Sequence, residues 1–204
     1  AIGSGAADAA VSTTYLTAVG YNALGACVDG AGNTAVGANC LYSDIGDNNV
    51  GMGDHAGMST TGSDNTFLGH YAGVYTTTTD SCVAIGRNAL SGASGDPATG
   101  NYNIAVGNYA LDAVTDGTSN VAIGHSALSA LTGEDFNTAI GHQVGVDVLG
   151  HSNVLVGHHA GFDAGDIDDC IAIGRSALKG DGSTAPSGNE NIAIGSYALD
   201  ATTT

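Results

Sequence analysis

The sequence contains no tryptophan and few aromatic residues of any kind. Aromatic residues account for 5% of the 204 positions, and glycine alone occurs 33 times. A globular core of this size usually needs more bulky side chains than this composition supplies. Solenoid proteins instead bury small residues between successive coils, so that each coil is stabilised by its neighbours. The scarcity of bulk therefore points away from an ordinary globular domain and towards an elongated one.

Positive charge is almost absent as well. The chain has three basic residues and 20 acidic ones, which gives a formal net charge of −17. Such a chain is repelled by nucleic acid and by anionic membranes, so we exclude nucleic-acid binding and expect no membrane insertion. The same charge predicts self-repulsion, greatest in a homo-oligomer, which salt would screen. A saline or calcium-containing medium fits this composition.

The spacing of the four cysteines and the shortness of the apolar runs exclude further classes of site and protein. Cys82 and Cys170 are too far apart in the repeat described below to form a disulfide within one chain, and no zinc-site spacing occurs. We interpret all four cysteines as buried small residues. No stretch has the length of a transmembrane helix or the pattern of a signal peptide.

One nine-residue motif dominates what is present. It reads NTAVGANCL at 33–41, NIAVGNYAL at 103–111, NVAIGHSAL at 120–128 and NIAIGSYAL at 191–199. We find twelve copies at spacings of 16–21 residues. Such a fixed short period is the sequence mark of a solenoid. The first copy is centred on Gly3, and the other central glycines, which we predict to be structural corners, are Gly20, Gly37, Gly53, Gly69, Gly86, Gly107, Gly124, Gly141, Gly157, Gly174 and Gly195.

Each copy predicts one coil of an all-β, parallel β-solenoid. The β-branched run before each glycine has the length of a strand and is too short for a helix. The remainder of each period is rich in Gly, Asp, Asn, Ser and Thr, which form turns. Coils stacked about 4.8 Å apart would give a rod on the order of 55 Å long. We expect one repetitive domain over 1–204, cut from a longer protein, with five-coil super-repeats at about 20–106 and 107–194.

Alternation along each strand predicts where the side chains point. The residues one and three positions before each glycine are mostly large or β-branched, and we place them inside the coil. The residue between them would then point outwards. It is small and apolar in most copies, which suggests that this outer face is tightly covered. The alanines at this position are Ala18, Ala35, Ala84, Ala105, Ala122, Ala139, Ala172 and Ala193.

An asparagine recurs four residues before the glycine. Stacked amides can form a hydrogen-bonded ladder, so we assign these side chains a structural role. Cys82 and Cys170 replace the asparagine in two copies. The predicted ladder consists of Asn33, Asn49, Asn65, Asn103, Asn120, Asn137, Asn153 and Asn191.

The residues that follow the corner glycines are the best candidates for surface contacts. Histidines in successive coils could line up about 5 Å apart, as a metal-binding or pH-sensitive ladder or as a solvated polar edge. Tyrosines beside them could contact sugars or pack between coils. The candidates are His70, Tyr71, His125, His142, His158 and His159, with Tyr75, Tyr109 and Tyr197 as further possible sugar contacts.

No residue is assigned to catalysis, to a cofactor or to a metal site. The acidic turn at 162–169 offers oxygen ligands for calcium, but it lacks the spacing of an EF-hand. Carboxylates are so frequent in the turns that no pair is singled out for glycoside hydrolysis. Hexapeptide acyltransferases need tandem units, whereas 173–178 supplies one per coil. We therefore expect no enzyme and no required cofactor, with calcium as an alternative.

The NTAVGxxAL unit resembles the repeat arrays of phage tail fibres over essentially the whole chain. It is also similar to the NSVAIGxxA repeat of YadA-like trimeric autotransporter adhesin heads, whose coils are shorter. The resemblance implies a left-handed β-roll, a side-by-side homotrimer, and an inter-chain seam that would suit the alanine column.

The function predicted from this resemblance is that of a rigid trimeric rod. It would form part of a virion tail fibre and contact a glycan or protein on a host cell surface. One alternative is the head of a bacterial trimeric adhesin on an extracellular surface. More distant alternatives are an ice-binding solenoid and a polysaccharide-acting enzyme.

Overall fold

The computed structural model describes residues 1–43, 45–92, 95–181 and 188–201. Its regular structure is one parallel sheet of eleven strands, which lie in chain order. Every strand has three residues. The strands are β1 Thr17–Val19, β2 Thr34–Val36, β3 Val50–Met52, β4 Thr66–Leu68, β5 Val83–Ile85, β6 Ile104–Val106, β7 Val121–Ile123, β8 Thr138–Ile140, β9 Val154–Val156, β10 Ile171–Ile173 and β11 Ile192–Ile194.

The register places equivalent residues of successive copies side by side. Ala18 pairs with Ala35, and Ala105 pairs with Ala122. The connections between neighbouring strands complete about ten turns of a β-solenoid. The first copy contributes a single bridge, between Ile2 and Val19. The predicted all-β, parallel solenoid is therefore confirmed.

A helix of the length and apolarity needed to span a membrane is absent from the described residues.

The two longest connections between strands are β5–β6 and β10–β11. In the first, residues 95–102 rejoin the stack, since Ala98 forms a bridge with Thr76 and is buried. In the second, residues 182–187 lie outside the described residues.

The corner glycines occupy positions that no other residue can fill without strain. Gly86 has a φ of +127°, and a Cβ added to it would lie 2.7 Å from the carbonyl carbon and oxygen of Gly107 in the next coil. Gly195 has a similar φ of +123°, but a Cβ there would meet no atom within 4 Å. The corner therefore requires glycine for its backbone conformation and, between coils, for the close approach of the next backbone.

The predicted orientation of the strand side chains is wrong. The middle residue points into the coil, where Ala35 and Ala105 have no exposed surface. The two flanking residues face outwards, and Met52 is 52% exposed. Leucines after the corner, such as Leu41, occupy the interior opposite the strand. A Cβ added at Gly51, in the middle of β3, would lie 2.7 Å from Leu41 Cγ. The narrow coil therefore leaves room for little more than alanine from the strand.

Phe67 and Leu155 fit at this middle position because glycine replaces leucine opposite them. Both side chains are fully buried. A Cβ at Gly57 would lie 2.6 Å from Phe67 Cδ2, and one at Gly161 would lie 2.9 Å from Leu155 Cδ1. The volume of the interior is thus nearly constant along the rod, as close packing requires.

The asparagines form a buried hydrogen-bonded column along the inside of the coil. The backbone N–H of Asn137 donates to Oδ1 of Asn120 at 2.9 Å, and Nδ2 of Asn120 donates to the carbonyl of Glu134 at 2.8 Å. Where cysteine replaces asparagine, the backbone N–H of the asparagine in the next coil donates to the cysteine sulfur. The N–H of Asn103, for example, donates to Cys82 Sγ at 3.4 Å. The asparagines therefore satisfy buried and partly buried backbone groups of neighbouring coils.

Replacing Asn120 tests this column. Asn120→Ala leaves a buried N–H and a buried C=O unpaired, and we expect the free energy of unfolding to fall by about 2–4 kcal/mol. Asn120→Cys should cost about half as much, because a sulfur at this position accepts a hydrogen bond at Cys82. Urea denaturation followed by circular dichroism measures both variants. Equal stability of the alanine and cysteine variants would show that the hydrogen bonds contribute little.

The four cysteines are all buried. Burial raises the pKa of the Cys40 thiol to about 12, although a backbone hydrogen bond from Val36 opposes the shift. Burial likewise raises the pKa of Cys82 to about 11. These two thiols are protonated at neutral pH and behave as small apolar side chains.

Asp112 is a partly buried acid that should destabilise the fold at neutral pH. Burial raises its pKa to about 6, and its Oδ1 has no hydrogen-bond partner among the described residues. The folded state then holds this proton more tightly than the unfolded state, so stability falls as the pH rises from about 4 to 6.

We therefore expect Asp112→Asn to raise the melting temperature at pH 7 and to leave it nearly unchanged at pH 4. The control is Asp116→Asn, which removes the same charge from an exposed position. An equal rise for both variants at pH 7 would assign the effect to net charge and not to the burial of Asp112.

Candidate functional site

The outward side chains of the eleven strands form one continuous surface, which we call the apolar face. It contains no charged residue, and its members range from partly to largely exposed, with Ile194 at 67%. The apolar face consists of Thr17, Val19, Thr34, Val36, Val50, Met52, Thr66, Leu68, Val83, Ile85, Ile104, Val106, Val121, Ile123, Thr138, Ile140, Val154, Val156, Ile171, Ile173, Ile192 and Ile194.

The size of the apolar face is that of an interaction surface. Eleven parallel strands about 4.8 Å apart span about 48 Å. Contiguous apolar patches of more than a few hundred Å² are rare on monomeric soluble proteins and mark places where another surface binds. A typical stable interface uses about 20–30 residues from each partner, which is close to the number of side chains on this face.

The two positions after each corner glycine form a second surface, which we call the corner edge. The first position is mostly exposed. The second has a left-handed backbone in most coils, with a φ of 59° at Tyr71 and 58° at His159. The two residues after these positions are buried in the typical coil, as Ala110 and Leu111 are. The tight corner thus directs the chain into the core and leaves two columns of side chains on the rim.

Four predicted histidines meet on the corner edge of β7 to β9. The ring of His142 is stacked between His125 and His158, with ring centroids 5.3 Å apart on each side and interplanar angles of 14° and 9°. The centroid of His159 lies 3.9 Å from that of His158. One ring nitrogen from each of His142, His158 and His159 lies within 4.8 Å of the others.

The remaining two predicted contacts, His70 and Tyr71, lie in a separate cluster. The Asp54 carboxylate is 2.9 Å from Nδ1 of His55 and 3.4 Å from Nε2 of His70. The Tyr71 ring centroid lies 5.1 Å from that of His55 and 4.1 Å from that of His70. Sequence reasoning missed Asp54 and His55, although both occupy corner positions that the period defines.

Tyr71 also borders a shallow depression of about 370 Å³. Its other lining residues include Tyr75, Asn88 and Ser91. Oδ1 of Asn88 has no hydrogen-bond partner among the described residues. The Asn88 oxygen is buried, so the depression offers mainly its two phenol rings, which suit a polar ligand with an apolar face.

The three basic side chains lie against aromatic rings. The guanidinium of Arg87 is 5.6 Å from the centroid of Tyr109, and that of Arg175 is 5.3 Å from Tyr197. The Lys179 ammonium is 5.9 Å from the Phe162 ring. These cation–π contacts engage Tyr109 and Tyr197 within the chain. Tyr71 and Tyr75 are therefore the better candidates for contact with a sugar.

Several carboxylates of the turns hold the backbone of the neighbouring coil. Asp135 Oδ1 accepts the N–H of Thr118 at 2.6 Å, and Asp168 Oδ1 accepts that of His151 at 2.8 Å. Asp168 belongs to the acidic turn 162–169, which offers oxygen ligands for calcium. Among the described residues, the one group of three potential metal ligands is the histidine group, and this turn contributes none of its members.

Comparison with protein-family models, curated proteins and solved structures finds no match to this chain. The resemblance to tail-fibre and adhesin repeats therefore rests on the motif itself. The function must be argued from the apolar face and the corner edge.

Proposed function

We propose that this chain is a rigid segment of a virion tail fibre. Twelve left-handed coils would form its rod, three copies would pack side by side through their apolar faces, and the outer surface would contact a host cell. The observation that carries this proposal is the apolar face, which runs uninterrupted through all eleven strands without a charged residue. A lone rod would leave this surface in water.

The shape of the apolar face supports an assembly around a common axis. It is a ribbon two side chains wide, in which in-register pairing places equivalent residues of neighbouring strands side by side. Symmetric packing of identical chains would cover each ribbon with equivalent ribbons of its neighbours. The number of three chains comes from the resemblance to tail fibres and adhesin heads. The alanine column cannot form the seam, because it is inside the coil.

The charge of such an assembly limits the conditions in which it forms. Three chains of −17 each carry −51 in total. The carboxylates lie in turns and corners and not on the apolar face, so they repel one another mainly through solvent, where salt screens them. We therefore propose a structural and binding role, without catalysis, at a virion or extracellular surface.

The depression beside Tyr71 and Tyr75 is the proposed contact for a host-surface glycan. Phenol rings offer a flat apolar surface to a sugar ring and a hydroxyl to its polar groups. This contact would recur once in each chain, so a trimer would bind with the combined strength of three weak sites.

A panel of immobilised bacterial surface glycans tests this contact. We expect the wild-type chain to bind at least one glycan and the double variant Tyr71→Ala, Tyr75→Ala to bind it at least 10-fold more weakly. Tyr109→Ala is the matched control, since it removes a corner-edge tyrosine that packs on Arg87. Equal weakening in the control, or no binding to any glycan, would contradict the proposal.

A further inference from the structure

We propose that His142, His158 and His159 bind a divalent transition-metal ion, with Zn²⁺ as the representative ligand. The proposal rests on the three ring nitrogens that lie within 4.8 Å of one another on the corner edge. It is independent of the fibre function, because nothing in it requires the chain to assemble or to contact a host.

The backbone that carries these histidines is fixed by the stacking of coils. His142 and His158 follow the corner glycines Gly141 and Gly157, and His159 comes next in the chain. The backbone N–H of His159 donates to the carbonyl of His142 at 3.2 Å, which joins the two coils at the site. Ligands on rigid backbone are already oriented before the metal arrives, which favours binding.

The three ring nitrogens must move closer together to bind one zinc ion. Zinc binds imidazole nitrogens at about 2.0–2.1 Å in tetrahedral geometry, so the nitrogens must come to about 3.3 Å from one another. His142 and His158 are exposed, which leaves them free to rotate inwards. Three histidines and a water molecule complete a four-coordinate site.

The imidazole ligands also determine which metal ions the site can bind. Neutral ring nitrogens suit zinc, copper and nickel, whereas calcium and magnesium prefer oxygen ligands. His159 has a lowered pKa, mainly because burial disfavours its charged form and also because His158 and Lys179 are near. A lowered pKa favours the neutral ring, which is the form that can offer a lone pair to a metal ion. Lys179 and Arg175 repel a dication as well, which limits the affinity.

Gln143 provides the outer support of the site. Its Oε1 lies 3.0 Å from Nε2 of His159, in the corner of the preceding coil. With Nε2–H donating to this oxygen, the other ring nitrogen of His159 holds the lone pair. Such a hydrogen bond fixes the tautomer and the orientation of a metal-ligating histidine. On the opposite side, the ring centroid of Phe162 lies 4.9 Å from that of His159.

Isothermal titration of the full 204-residue chain with ZnCl₂ at pH 7.4 tests the site. We expect one zinc ion per chain, unaffected by excess calcium. His158→Gln should weaken binding by about 100-fold or more, and Gln143→Ala by about 10-fold. The control is His70→Gln, which changes the equivalent corner position outside the cluster and should leave zinc affinity unchanged.

Titration of the wild-type chain with Co²⁺ provides a readout that does not depend on any variant. We expect the intense visible absorption of a four-coordinate cobalt site, displaced by one equivalent of zinc. Zinc binding that survives His158→Gln, or that is lost in His70→Gln, would overturn the assignment. A weak, octahedral cobalt spectrum would overturn it as well.

Discussion

The double variant Ile123→Asp, Ile140→Asp is expected to be a folded monomer under conditions in which the wild-type chain is an assembly. Both isoleucines are on the apolar face, 38% and 40% exposed, in neighbouring strands near its middle. In the assembled state the two new carboxylates would be buried without a partner, at a cost of several kcal/mol. The protein concentration needed for assembly should therefore rise by at least about 1,000-fold, which corresponds to about 4 kcal/mol.

The fold of each chain should survive these substitutions, because both positions point away from the core. Light scattering then measures the mass, and far-UV circular dichroism reports the strands. Thr61→Asp, Thr99→Asp is the matched control, since it adds the same charge at exposed positions outside the sheet. If the control dissociates as readily as the face variant, charge repulsion and not the apolar face controls assembly.

The second large effect is expected at the corner glycines. Gly86→Ala forces a Cβ against the backbone of Gly107 and also places alanine at a φ of +127°. A backbone conformation of this kind costs a non-glycine residue about 1–3 kcal/mol, and overpacking adds about 1–3 kcal/mol. We therefore expect the free energy of unfolding to fall by about 3–5 kcal/mol.

Two other glycines separate the contributions of conformation and contact. Gly195→Ala has the same kind of φ, but its Cβ would meet no described atom within 4 Å, so it should cost only the conformational part. Gly95 has neither a positive φ nor an atom within 4 Å of an added Cβ, and Gly95→Ala should be nearly neutral. Thermal and urea denaturation should rank Gly86→Ala as most damaging, then Gly195→Ala. Equal losses at Gly86 and Gly195 would show that contact between coils contributes nothing.

The sequence predicts the solenoid because a fixed period leaves few other folds. It identifies the corner glycines for the same reason. It does not predict which face of the strand is inside, since alternation defines two faces without ranking them. Large apolar side chains are inside in most proteins, so alternation alone favours the wrong face here. Here the interior is filled from the opposite wall, by residues such as Leu41 and Leu111.

A signal for the correct orientation is present in the sequence. Phe67 and Leu155 occur in coils where glycine replaces the usual leucine after the corner. A larger residue in the strand is thus accompanied by a smaller residue after the corner. This compensation indicates that the middle strand position packs against the position that leucine usually occupies, and the contacts of Gly57 and Gly161 show this packing.

The candidate site was predictable only in part. The period alone aligns His125, His142 and His158 in one column. The contribution of His159 and Gln143 depends on how the first and second corner positions pack across coils, which requires coordinates. The contacts of Arg87 and Arg175 with tyrosine rings likewise cannot be predicted from the sequence period alone.

The central claim is that the apolar face is covered by further copies of the chain. The most direct test is the mass of the wild-type chain in solution, measured by light scattering in moderate salt over a range of concentrations. Three chains of 19.9 kDa give about 60 kDa, which is the predicted result. A stable mass of 19.9 kDa at all concentrations would contradict the trimer. It would also leave the apolar face as the exposed surface of a solitary solenoid.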